Sequence, residues 1–128
     1  MATYLAHLLI LTALLSPHGS KDLAPMAPQV EDIEFTGYYT CEGQTLEGSY
    51  TGVVVITKKR DTYLIRWIFQ SGQRIIGTGM REGNSLWVGW SDQTTVGVCR
   101  YRIELDKDKP KLVGDRGTNE TMTFLKPL

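Results

Sequence analysis

The residues able to do chemistry are few. Histidine occurs only at His7 and His18. Both fall in an N-terminal stretch that reads as a removable leader, so the rest of the chain carries no imidazole. That excludes a Ser-His-Asp triad, a Cys-His pair and a histidine zinc site there. Cys41 and Cys99 are the only cysteines, too few for an all-thiolate zinc site. No metal and no cofactor is expected. Carboxylates remain, as Glu42 with Glu47 and Asp106 with Asp108. All four fall in turn-like contexts, where solvation accounts for them without catalysis. Asp106-x-Asp108 lacks the further oxygen ligands of a calcium loop. No glycine-rich phosphate loop leads into a helix, and Asn119-Glu120-Thr121 matches the glycosylation sequon. The residues point to binding, not to an enzyme.

Charge says little about partners. The 128 residues hold 14 Lys plus Arg against 14 Asp plus Glu. With no basic stripe, nucleic acid is not an expected partner. Residues 1–20 contain no charged side chain, and Leu5 to Leu15 form a mainly apolar run broken by His7 and Thr12. The run is too short to span a bilayer. Pro17, Gly19 and Ser20 follow it, the pattern of a secretory signal peptide. A secreted, periplasmic or cell-envelope protein is expected, with no membrane span after leader removal. The alternative is an apolar N-terminal helix packed on the domain. Residues 21–33, with Pro25 and Pro28, read as a linker or an arm lying on the domain of residues 34–128.

In a secreted chain, two cysteines suggest a disulfide. In the chain-entropy picture, a loop of this length would stabilise by about 4 kcal/mol. Two readings stay open: a Cys41–Cys99 bond, or two buried thiols.

From residue 35 onward the pattern is short strands and turn signals. Strands are expected at Phe35–Cys41, Ser49–Thr57, Thr62–Phe69, Arg74–Met80, Ser85–Trp90, Thr95–Leu105, Lys111–Asp115 and Thr121–Leu125. Asp106 to Pro110 reads as a charged turn. No window after the leader shows a 3.6-residue apolar period. The fold class is all-β: an antiparallel eight-stranded meander, closed or nearly closed into a small barrel.

Alternation then separates two faces. One holds Tyr39, Cys41, Val54, Ile56, Tyr63, Ile65, Trp67, Trp90, Cys99, Tyr101 and Ile103, mixed with Gly77, Gly79 and Gly97. Large rings beside glycines suit a small barrel's interior. Tyr39, Tyr63, Trp67, Trp90 and Tyr101 would line an interior pocket if there is one. The inward phase supplies almost no other polar groups, which favours a packed core. The opposite face is polar in part but also carries Leu64, Ile68, Ile76, Met80, Trp87, Val96 and Val98. These lie on neighbouring strands and define a candidate interaction surface around Trp87. The arm is its expected cover; a second copy or a protein partner is the alternative.

The spacing Tyr50-x-Gly52-x-Val54-x-Ile56, Tyr63-x-Ile65-x-Trp67, Gly77-Thr78-Gly79, Leu86-x-Val88-x-Trp90 and Tyr101-x-Ile103 with Leu112-x-Gly114 resembles a group of short secreted bacterial β-proteins often labelled fibronectin-binding. The likeness covers roughly residues 37 to 114, and Arg116 departs from the aromatic expected there. Tyr39-Thr40-Cys41 and Ser71-Gly72-Gln73-Arg74 also resemble, more faintly, segments of periplasmic inhibitors of c-type lysozyme, themselves eight-stranded barrels. Ile75 replaces that family's tyrosine, and Asp92 its lysine. The first resemblance implies a binding module acting through protein interaction. The second implies an inhibitor; a small-ligand-binding barrel is the other expectation.

Overall fold

The computed structural model describes residues 33–128. The expected leader, and all of the expected arm but Ile33, lie outside the described residues. The chain runs through β1 (Gly37–Thr45), β2 (Gly48–Lys59), β3 (Thr62–Phe69), β4 (Arg74–Glu82), β5 (Ser85–Ser91), β6 (Val96–Asp106), β7 (Lys109–Arg116) and β8 (Thr121–Lys126). Each strand pairs antiparallel with the next, and β8 pairs antiparallel with β1, so the sheet is a closed barrel. An even number of up-and-down strands returns the last strand antiparallel to the first. Closure then needs no crossover and leaves no free sheet edge. Among the described residues no helix is long and apolar enough to cross a membrane.

Most strand ends shift by one or two residues from the sequence expectation, and β1 runs on to Thr45, which places Glu42 in a strand and not in the expected turn; two of the differences have identifiable reasons. Strand one starts at Gly37, not Phe35, because Phe35 turns inward and plugs one end of the barrel. The expected turn at Asp106–Pro110 contracts to Lys107-Asp108, whose φ values are 51° and 65°. A two-residue turn with both residues left-handed follows the right-handed twist of its strands. Lys109 and Pro110 therefore pair across to β6.

The interior follows the alternation. Val54, Ile56, Ile65, Leu86, Val88, Ile103, Leu112 and Met122 are fully buried. Each such side chain contributes about 1.5–3 kcal/mol by leaving water. At the plugged end Phe35 stacks on Tyr63, with centroids 4.4 Å apart. The Tyr39 hydroxyl donates to the Phe35 carbonyl at 2.5 Å, and the Arg81 guanidinium lies over the Phe35 ring. Leu105 shares the inward phase but sits at the strand's end, and it is exposed.

Glycine on the inner face is a packing requirement. A Cβ on Gly77 would stand 2.9 Å from Val88 Cγ1 and 3.0 Å from Trp67 Cζ3, whereas one on outward Gly89 would meet nothing. Gly77→Val is expected to destabilise the fold by about 1–3 kcal/mol through overpacking, and Gly89→Thr to change it by less than about 0.5 kcal/mol. Urea unfolding followed by circular dichroism measures both.

Candidate functional site at the open end of the barrel

The other end of the barrel is not plugged. The turns β1–β2, β3–β4 and β7–β8, with Trp90 near the end of β5, border a cavity of about 810 Å³ there. Its walls are aromatic and its base is a carboxylate. Tyr50, Trp67, Phe69, Trp90 and Tyr101 supply the rings, and Ile75 adds an aliphatic patch. Tyr50 meets Phe69 edge to face, with centroids 5.3 Å apart.

The carboxylate is Glu120, only 2% exposed. It continues the inward phase of Met122 and Phe124 one step beyond the start of β8. Three donors from three strands converge on it. Trp67 Nε1 donates to Oε1 at 2.9 Å, the Tyr101 hydroxyl to Oε1 at 3.0 Å, and the Tyr50 hydroxyl to Oε2 at 2.8 Å. Burial pushes the Glu120 carboxyl above its ordinary 4.5, and these hydrogen bonds oppose that rise. Burial first, and the Glu120 charge second, raise the Tyr50 and Tyr101 hydroxyls, so both remain protonated donors.

The loop between β7 and β8 is fixed in the mouth by local bonds. Gly114 N–H donates to the Glu120 carbonyl at 2.8 Å, and Glu120 N–H donates to Thr118 Oγ1. Asn119 pairs with the Gln44 peptide in both directions: Gln44 N–H to Asn119 Oδ1 at 2.9 Å, and Asn119 Nδ2 to the Gln44 carbonyl at 3.2 Å. The amide of the glycosylation sequon thus acts as one more rung against β1. Gly117, at φ 73°, lets the loop pass close over β6, since a Cβ there would stand 3.2 Å from the Cys99 Cα.

The sequence-derived candidates divide between these places. Of the five interior aromatics, Trp67, Trp90 and Tyr101 line the cavity. Tyr39 and Tyr63 do not; they are sealed into the plugged end beneath Phe35. Tyr39, Tyr63, Trp67 and Tyr101 all belong to the buried core, and Trp90 is half-buried at its open end. One half is packed, and the other is open because Glu120 gathers polar ring edges that aliphatic packing would leave unsatisfied. The disulfide is also corrected: Cys41 and Cys99 are two buried thiols. Cys41 lies on β1 and Cys99 on β6, with β8 and β7 between them around the barrel. Burial raises the Cys41 thiol to about 12 and the Cys99 thiol to about 11.

The carboxylate pairs do not form a site. Glu42, Asp106 and Asp108 are exposed, and so is Glu47, although it stands at the cavity rim. No cluster suited to a metal ion occurs among the described residues. The outer candidates face outward as expected. Ile68, Ile76, Met80, Val96 and Val98 are exposed, while Leu64 and Trp87 are half-buried. Registration sets Met80, Trp87 and Arg100 in one row across β4, β5 and β6. The Arg100 guanidinium lies 5.2 Å from the Trp87 ring centroid, and Asp115 holds it by a two-point ion pair at 2.8 and 3.0 Å. Trp87 is therefore partly roofed by its own neighbouring strand.

Glu120 is the residue of this candidate site that the sequence reading does not single out. Comparison with protein-family models, with curated proteins and with solved structures found no match.

Two predictions follow from the Glu120 network and one from the thiols. Glu120→Ala strands buried donors and should cost about 2–4 kcal/mol. Glu120→Gln should cost much less, because its oxygen can accept from Trp67 and Tyr101 while its amide donates to the Tyr50 oxygen. Glu120 binds its proton more tightly folded than unfolded. Its contribution to stability is thus complete below the unfolded value and is lost as pH rises through the folded one. Asp92 and Asp115 are shifted down from 3.8, so their effect lies at more acid pH. Above pH 4.5 the folding free energy should fall as pH rises, and the slope should flatten in Glu120→Gln; denaturant titrations across pH 4–8 measure this. Iodoacetamide at pH 8 should alkylate Cys41 and Cys99 roughly a hundredfold more slowly in the folded chain than in urea, as mass spectrometry would show.

Proposed function

We propose that this chain is a small-molecule-binding barrel of the cell envelope or extracellular space, acting by capture and not by catalysis. The observation that carries this is the cavity itself. Its volume, about 810 Å³, falls among those of sites that enclose small ligands, roughly 300–1,000 Å³. Such sites combine apolar walls with a few convergent polar groups. Here five rings surround one carboxylate with its hydroxyl and indole donors, and the mouth opens to solvent between those turns. The charge-free, apolar leader supports the compartment.

A titration of the chain with small aromatic fragments, followed by indole N–H signals in NMR, tests the proposal. Trp67 and Trp90 are expected to respond and Trp87 to stay silent. Trp90→Ala, which removes a wall at the mouth, should weaken any such binding by at least about tenfold. Silence from Trp67 and Trp90 across a broad fragment set would overturn the proposal.

A second function is favoured by a separate observation: the exposed apolar residues Ile68, Ile76, Met80, Val96 and Val98 on adjacent strands. Under it the outer face binds a protein or a second copy of the chain. Trp87→Ser should then abolish self-association or capture while leaving the fold intact. Sedimentation velocity on the two proteins, alone and with extracellular material, separates this function from the first.

A further inference from the structure

Resting on that proposal, we infer that the cavity selects a small organic ammonium, held by the half-buried Trp90, Tyr50 and Phe69 rings above the buried Glu120 carboxylate. Charge is the first ground. The residues lining the cavity include Glu47 and Glu120 and no lysine or arginine. Arg100 on β6, the strand that supplies Tyr101, turns outward to Asp115 and Trp87. Glu120 is buried, and its hydrogen-bonded neighbours are all neutral donors. Above the raised pH at which Glu120 titrates, they stabilise the anion locally but do not cancel its charge. Because Glu120 itself is shielded from water, its charge acts on a cation in the cavity above it more strongly than an exposed carboxylate would.

The walls are the second ground. Aromatic faces attract ammonium groups, tryptophan most strongly. The half-buried Tyr50, Phe69 and Trp90 rings border one cavity, with Trp67 and Tyr101 buried behind them. The Tyr50 hydroxyl is the third. The half-buried Tyr50 spends its hydrogen on Glu120, so its lone pairs are left to accept from a ligand N–H. A neutral ligand would use the ring faces alone. An anion would meet Glu47 and Glu120 with no compensating cation.

A strut holding the β7–β8 loop would account for Glu120 without any ligand, and the test must separate the two roles. Glu120→Gln does so, because it keeps the hydrogen bonds and removes the charge. Benzylammonium, benzyl alcohol and benzoate share one ring and differ in charge. Each is titrated into the full chain and into Glu120→Gln, with the Trp67 and Trp90 indole signals as readout and urea unfolding as the check on folding. Benzylammonium is expected to bind the native chain at least about tenfold more tightly than benzyl alcohol, with benzoate weakest, and Glu120→Gln to bring the first two within about threefold. Equal binding of alcohol and ammonium by the native chain, or an ammonium preference that survives in a folded Glu120→Gln, overturns the cation inference and leaves the ligand cavity standing. No response from any of the three probes, joined with silence in the wider fragment set, overturns both.

Discussion

A carboxylate buried without a cation is the constraint on which the open half of this barrel depends. Moving Glu120 from water into the interior is strongly unfavourable unless its oxygens are bonded. Three side chains from β2, β3 and β6 meet that demand. Their positions are thereby fixed as well, because an indole or phenol committed to a carboxylate cannot swing away to fill space elsewhere. The β7–β8 loop is drawn into the mouth by the same bonds, and Asn119 fastens it to β1 beside Gln44. The cavity is what remains once the ring edges converge on one point and the ring faces are left unmatched.

The two ends of the barrel show how little composition alone decides. Both hold tyrosines on the inner face. At the plugged end Phe35 arrives from outside the sheet, stacks on Tyr63 and gives Tyr39 a carbonyl to donate to. All three side chains are sealed. At the open end the entering group is Glu120, which satisfies polar edges but has too little apolar surface to cover the rings. Partial burial of Phe69, Ile75 and Trp90 follows from that difference. A plug of hydrocarbon closes a barrel; a plug of carboxylate leaves its mouth exposed.

The strands and their phase were legible because a two-residue period states face and identity together. Thr62–Phe69 could be bounded from its residues, and every inward assignment from β2 to β6 depends only on counting by two. The groups that enter the interior from outside a recognised strand were not legible. Phe35 shares the inward phase of Tyr39 and Cys41 and is buried, but nothing in that count shows that it lies outside the sheet, and Glu120 reads only as part of a sequon. The available signal for Glu120 was the series Glu120, Met122, Phe124, which extends the inward phase of the last strand backward. A charged residue in that series argues against burial on transfer energy alone. It becomes reasonable only when Tyr50, Trp67 and Tyr101 are known to meet at one height, and sequence separation hides such meetings. The same limit applied to Cys41 and Cys99. Both were placed inward, but alternation fixes direction and says nothing about separation around the circumference.

Trp87 and Trp90 make the division of labour concrete. Three positions apart on β5, they must face opposite sides of the sheet. Trp87 has a partner already, since Arg100 covers its face and Asp115 holds Arg100 in place. Its environment is nearly complete within the chain, and a docking partner would have to displace or share that cover. Trp90 lies beside Gly97 at the mouth, half-buried, with one side against the barrel wall and the other toward the cavity. A large ring held rigidly but left uncovered has lost its conformational entropy in folding and not yet gained its full burial. A ligand that enters there gains contact with a surface already ordered, and this preorganisation is what separates a binding site from an exposed hydrophobic residue. The inner tryptophan is therefore the stronger functional candidate, although the outer one is the more conspicuous in the sequence.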